Sequence, residues 1–234
     1  MSTKMAQKKS HTWFMTGTDT EIGKTYVSTL LLKALNEANM PANGYKPVAS
    51  GAAETPLGLK NPDAYAHLTA SIDELTYDEV NPFFFEAEEA PHILAEQLGQ
   101  EIDFEVMTAG LLHLEAKNRI TLVEGAGGWY TPLSFEKSYS DWVIENQFPV
   151  IVVVGLKLGV INHARLTFEA IQNSGLNVVG WIANHLSDSV SLPAYIKGIQ
   201  AFTDIPMIGE VPFNAKADDL ELESVFDLSY FKLI

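Results

Sequence analysis

The stretch Gly17-Thr18-Asp19-Thr20-Glu21-Ile22-Gly23-Lys24-Thr25 decides the fold, because its flanks are as informative as its contents. The apolar run Trp13-Phe14-Met15 precedes it, and Val27, Leu30, Leu31, Ala34, Leu35 and Ala38 recur after it at the helical period. Strand, glycine-rich loop, helix is the setting in which a backbone cradles phosphate. The glycines let successive N–H groups point inward, the helix adds its positive end, the lysine meets the β and γ phosphates, and the threonine coordinates magnesium. The spacing departs from the usual pattern: five residues rather than four separate Gly17 from Gly23, and Thr18 stands where the first glycine belongs. The competing reading is an ordinary glycine-rich turn with a surface lysine.

Outward from the loop, short apolar runs alternate with helical ones, which predicts an α/β fold with a mostly parallel sheet. A second strand is expected around Gly44 to Val48, followed by loop and short helical material through Pro62 to Thr69 and Pro91 to Leu98. A helix from Phe104 to Asn118 leads into a strand over Arg119 to Val123, ending at Glu124-Gly125-Ala126-Gly127-Gly128. Pro149 to Val154 is continuously apolar, as a strand covered on both faces must be, and is expected at the centre of the sheet. Ile161, Ala164, Phe168 and Ile171 form the next helical stripe, stopped at Gly175. Strands over Val178 to Ala183 and Met207 to Val211, with a helix near Ala194 to Phe202 between them, complete the pattern.

The chain has 234 residues, 47% of them hydrophobic, enough for one sizeable domain with a continuous core and too few for two comfortable ones. The expected division is a disordered or extended lead-in over residues 1–11 and a single domain over 12–234. A net charge of −15 argues against non-specific binding to nucleic acid or anionic membrane, so the few cations placed in motifs carry more meaning. There is no cysteine, which excludes disulfides, thiolate metal sites and a cysteine nucleophile. No signal-like or membrane-length apolar run occurs, and a cytoplasmic protein is the default expectation.

Outside the loop, Glu124 is an acid at the carboxyl end of an apolar strand, the crevice where open α/β sheets bind ligands. Lys46 follows a short strand and is expected at the same sheet edge as Lys24, where two cations stabilise the charge that builds during phosphoryl transfer. Its plainer reading is a solvated surface lysine, and Lys157 at a later strand end has the same two readings. Asp63, after Asn61-Pro62, reads as a helix-start residue. His67, His92, His113, His163 and His185 lack metal-ligand spacing, so no histidine zinc site is expected. Phe83-Phe84-Phe85 reads as packing, and Glu86-Ala87-Glu88-Glu89 as a solvated face.

Five separated blocks, Gly17 to Thr25, Lys46 to Gly51, Glu124 to Gly128 with Pro132, Gly155 to Thr167, and Gly209-Glu210-Val211-Pro212, together resemble the dethiobiotin synthetase family. The resemblance runs from about Thr12 to Phe213, and Gly-Leu-Lys-Leu-Gly followed by Ile161-Asn162-His163-Ala164 is its most specific part. It implies a phosphate-loop nucleotide-hydrolase fold, a twisted, mostly parallel sheet with helices on both faces. It also implies a ligase that uses ATP and Mg2+ to carboxylate 7,8-diaminononanoate with CO2 or bicarbonate. The carbamate attacks the γ phosphate, and the neighbouring amine closes the ureido ring to give dethiobiotin, ADP and phosphate, a step of biotin biosynthesis.

Carried over by motif position, the resemblance implies that Thr20, Glu21, Ile22, Gly23, Lys24 and Thr25 bind the phosphates, with Gly125, Ala126 and Gly127 beside them. It implies Thr25, Asp63 and Glu124 as magnesium ligands and Lys46, with Lys24, as the catalytic cations. Ser50 falls at the diamine. Gly159, Val160, Ile161 and Asn162, with Tyr195 a weaker candidate, fall where the substrate carboxylate is received from the neighbouring subunit of a homodimer. Asn184, His185 and Pro212-Phe213-Asn214 fall around the adenine, and the tail to Ile234 departs most from the family pattern. Two rivals share the scaffold. Another ATP-dependent amide ligase usually carries a cysteine-bearing glutamine-hydrolysing domain, which this chain lacks, and a partitioning-type ATPase switch usually carries an extra lysine early in the loop, where this chain has Asp19.

Overall fold

The computed structural model describes residues 12–117 and 119–231; the expected lead-in and the expected helix end at Asn118 lie outside the described residues. β1 (Thr12–Gly17) is buried along its whole length and runs into the glycine loop, and α1 (Lys24–Glu37) lays Val27, Leu30, Leu31, Ala34 and Leu35 inward. β2 (Ala42–Tyr45) is followed by β3 (Val48–Ser50). The strand expected over Gly44 to Val48 is therefore two strands. Pro47 has no N–H to continue a ladder, and the N–H of Lys46 turns away to donate to the Val80 carbonyl at 2.9 Å.

The following region holds more than the expected loop and short helix. β4 (Ala53–Thr55) and β5 (Gly58–Lys60) form an exposed antiparallel hairpin, and α2 (Pro62–Ala70) and α3 (Tyr77–Val80) follow. Phe83–Phe85 is β6, paired in parallel with β3. The packing role expected of the three phenylalanines holds for Phe83 and Phe85, which are buried, while the run is also a strand. Next come α4 (Pro91–Leu98), α5 (Phe104–Glu115), β7 (Ile120–Glu124), α6 (Tyr139–Asn146), β8 (Val150–Leu156) and α7 (Val160–Asn173). Gly175 follows α7 at φ +82°, the left-handed turn expected of a glycine stop. β9 (Val178–His185), α8 (Leu192–Gln200), β10 (Met207–Val211) and α9 (Leu222–Val225) end the order.

The main sheet has six strands in the order β10-β9-β8-β1-β7-β2, all paired in parallel, with β8 and β1 at its centre. The apolar run expected at the centre is there, buried at every residue of β8. Alternate residues of the central strands feed two cores. Phe14, Val152 and Val154 face α5, α6, α7 and α8, whereas Met15, Ile151 and Val153 face α1 and α9. The chain leaves β1 toward β2 and leaves β8 toward β9. The two connections thus diverge at neighbouring strands, and a crevice opens at their carboxyl ends.

Among the described residues no helix is long and apolar enough to cross a membrane. Phe14, on the strand that carries the glycine loop, meets Trp129, Tyr139 and Trp142 at ring-centroid distances of 6.4, 5.6 and 6.5 Å. Phe14→Ala is expected to lower stability by about 3–5 kcal/mol, the scale for truncating a buried aromatic, as read from the midpoint of urea unfolding.

Candidate active site

The glycine loop is fixed from three sides. The N–H of Thr18 donates to the Val153 carbonyl of β8 at 3.0 Å, and the fully buried Ile22 packs under Gly155. The Asn184 amide donates to the Ile22 carbonyl at 2.7 Å. Gly23 turns the chain into α1 at φ +80°, and a Cβ there would run into the Asn184 amide, so both conformation and space require glycine. Lys24 curls back over its own loop and donates to the Asp19 carbonyl at 2.8 Å. Asp19, in the stretch that breaks the usual spacing, pairs through Oδ2 with Lys157 at 2.7 Å, and that bond holds its carboxyl below the ordinary aspartate range.

Glu124 ends β7 with no solvent exposure. Its Oε1 accepts from Thr25 Oγ1 at 2.6 Å and from Lys46 Nζ at 2.5 Å. Its Oε2 accepts from Ser28 Oγ and meets His67 Nε2 at 2.7 Å. Burial works to raise this carboxyl, but Lys46 and His67 overcome it and hold the group well below the ordinary glutamate range. Burial likewise opposes the charge on Lys46, yet Glu124 and Asp63, the latter 3.4 Å away, outweigh it and raise its pKa. Lys24 differs. Burial pulls its ammonium down to about 8, against the attraction of Glu124 and with the repulsion of Lys46.

Lys46 is no solvated surface lysine: it is 4% exposed and backed by a polar chain. The buried Asn81 amide donates to the carbonyls of Lys46 and Phe83 at 2.6 and 3.0 Å, and its oxygen accepts from Tyr77 Oη at 2.8 Å. Tyr77 Oη accepts from the Asn61 N–H at 2.8 Å, and the Asn61 amide donates to the Ser50 carbonyl at 2.8 Å. Asn61 also caps α2, accepting from the N–H of Ala64 at 3.0 Å, so Asp63 enters in the first helical turn as its sequence context predicts. One network thus sets Lys46, Ser50 and Asp63 relative to one another.

Together these groups line a cleft of about 790 Å³ with Thr20, Glu21, Gly23, Lys24, Thr25, Lys46, Ser50, Asp63, Glu124, Ala126 and Gly127 on its wall. Ile22 lies beneath the loop, and Gly125 sits under the cleft against Phe14. Glu88 and Glu89 are exposed, as their acidic run predicts, and also reach the rim. A concavity of about 840 Å³ beside β10 and α9 is slightly larger but is lined by no Lys, Arg or His.

The remaining predicted residues lie elsewhere. Gly159, Val160, Ile161, Asn162 and Tyr195 line a separate cleft of about 450 Å³ at the start of α7, with the exposed Leu158 and Phe202. Asn184 is tied to the loop, His185 pairs with Glu210 at 2.8 Å, and Pro212, Phe213 and Asn214 follow β10 exposed. Both groups stand at carboxyl ends of strands neighbouring the loop but off the wall of the main cleft. Sequence reading missed Ser28, Asn61, His67, Tyr77 and Asn81. The available signal was helical spacing: Ser28 is three residues after Thr25 and His67 four after Asp63, positions that share a helix face.

Among the described residues no three of His, Asp and Glu form a metal-holding group. The donor set that does converge is mixed: the carboxylates of Asp63 and Glu124 meet at Lys46 Nζ, and the Thr25 hydroxyl lies on the same Glu124 oxygen. Hard oxygen donors of this kind fit magnesium, which takes few protein ligands beside phosphate and water.

The family described as an AAA domain matches residues 11–220. The ATP-dependent dethiobiotin synthetase BioD of Photobacterium profundum is 46% identical over 92% of this chain and 99% of its own length. The ATP-dependent dethiobiotin synthetase BioD 1 of Escherichia coli K12 is 47% identical over 88% and 92%, and the BioD of Serratia marcescens 53% identical over 75% and 77%. Among solved structures, the MinD cell division protein of Aquifex aeolicus superposes with a TM-score of 0.53 at 13% identity, covering 90% of this chain and 85% of that one. This last likeness shows the fold alone. With identity at this level over nearly full length, the chain belongs to the AAA-domain family and, within it, to the ATP-dependent dethiobiotin synthetases.

Proposed function

We infer that this chain is an ATP-dependent ligase that closes C–N bonds to make dethiobiotin, with the cleft around Lys24, Lys46 and Glu124 as its reaction centre. The observation that carries the reading is the convergence of two buried lysines and three hard oxygen donors at one sheet edge, in a chain of this family. The loop N–H groups and Lys24 hold the β and γ phosphates. Thr25, Asp63 and Glu124 would hold a magnesium ion, which would supply positive charge to the phosphate oxygens. Lys46, positively charged and fixed by the Asn81 network, faces the carbamate formed from one amine of 7,8-diaminononanoate and CO2. The carbamate oxygen attacks the γ phosphorus and ADP leaves. The second amine attacks the carbamoyl carbon, phosphate departs, and the ring closes. Lys46 and Lys24 stabilise negative charge at both stages.

Ser50 lies on the wall of the same cleft and contacts the diamine in this reading. The substrate carboxylate is received by Gly159, Val160, Ile161 and Asn162 of a second copy, with Tyr195 beside them. What supports a homodimer is that this second cleft carries apolar side chains in the open, with Leu158 and Phe202 86 and 62% exposed. The adenine sits against Asn184, His185 and the Pro212-Phe213-Asn214 segment. The reading places the enzyme in the cytoplasm, as a single domain from residue 12 onward.

Three outcomes test this reading. Protein supplied with magnesium and ATP is expected to release phosphate only when both diaminononanoate and bicarbonate are present; equal release without the diamine would sink the ligase assignment. Lys46→Ala is expected to leave nucleotide affinity within a few fold and to lower turnover by roughly 100-fold or more, the scale for a positioned electrostatic group. Unchanged turnover removes Lys46 from the chemistry. Phosphate binds the protonated form of Lys24, whose pKa is depressed to about 8, so ADP affinity should be flat below that pH. Above it, affinity should fall by up to about tenfold per pH unit, until the pKa of the complex is reached. Calorimetric titration between pH 7 and 9.5 reads the change, and a pH-independent affinity contradicts it.

A further inference from the structure

Two helices approach Glu124 in the same way. On α1, Thr25 touches Oε1 and Ser28, three residues on, touches Oε2. On α2, Asp63 turns to the cleft beside Lys46, and His67, four residues on, reaches Oε2 from beneath. In each pair one residue faces the reaction and the next on the same face lies behind the carboxylate. His67 has no solvent exposure, and its Nδ1 finds no partner among the described residues. An N–H there would be buried without an acceptor, so the ring hydrogen belongs on Nε2, aimed at Oε2. The ring is seated by Gly44 of β2, where a Cβ would collide with Nδ1.

We propose that His67, assisted by Ser28, is a positioning residue: it clamps Oε2 of Glu124 so that Oε1 is the oxygen presented to the cation. The carboxylate then has its acceptor directions shared evenly. Lys46 and Thr25 lie on the working oxygen, and His67 and Ser28 on the fixed one. Without the clamp the group is free to turn about its last torsion, and the donor set loses its geometry. Loss of a partner behind a metal ligand typically lowers metal affinity 10–100-fold. The inference rests on the proposal that Glu124 is a magnesium ligand, so the test addresses the two separately.

The test is Mn2+ binding to the full chain with ADP, followed by electron paramagnetic resonance, for the parent protein, His67→Leu, His67→Gln and Glu124→Gln. Leucine fills the space without a donor, whereas the glutamine amide reaches about as far as Nε2 and donates. His67→Leu is expected to weaken Mn2+ by about tenfold or more while leaving metal-free ADP affinity unchanged, and His67→Gln to restore it to within about threefold. Ser28→Ala, which keeps the ring, is expected to weaken Mn2+ by about threefold or more, and it decides the matter if His67→Leu does not fold. Glu124→Gln weak with His67→Leu at parental affinity overturns the clamp alone, as does a glutamine variant no better than leucine. Parental affinity in Glu124→Gln overturns the ligand assignment and the clamp with it.

Discussion

A carboxylate with no access to water at the end of a central sheet is the constraint on which the rest of the site depends. Glu124 stays ionised in that place only because four donors from three other elements meet it. A buried charge without such partners would be neutralised or would destabilise the fold by several kcal/mol. The elements that supply those donors, α1, α2 and the turn after β2, are thereby held against one another through a single carboxylate. The glycine loop, which leads into α1, is anchored at that same end.

The three cations divide the work through their surroundings. Lys46 is bound to carboxylates and keeps its charge across the physiological range. Lys24 is buried with less compensation, and burial pulls its ammonium down to about 8. Lys157 stands outside, partly solvated, and acts on the loop through Asp19. Their differences come from burial and neighbours, since all three start from the same side chain.

The parts of this design that the sequence made legible were those carried by local pattern. Lys24 and Thr25 follow from the loop, Glu124 from the end of an apolar strand, and β8 from an uninterrupted apolar run. Lys46 was legible in position but not in burial, because its carboxylate partners lie 17 and 78 residues away. Asn61, Tyr77 and Asn81 each read as ordinary polar residues of turns, and only the folded chain links them into one network. His67 lacks metal-ligand spacing in the sequence, and its partner in the fold is a glutamate 57 residues on. The break between β2 and β3 was written in Pro47, yet the strand signal on both sides of it masked the change of sheet.

The ion pair between Asp19 and Lys157 ties the glycine loop to the turn after β8. Asp19 belongs to the glycine loop, and Lys157 to the turn that opens α7. The pair is exposed, at 38 and 43% for the two side chains, so its strength is set by mobile ions as much as by geometry. Salt therefore loosens the connection between the nucleotide loop and the α7 turn without touching the buried carboxylate beneath. The molecule pairs a salt-insensitive centre with one salt-sensitive tie between the loop and the α7 turn, while the loop's buried anchors stay out of reach of mobile ions.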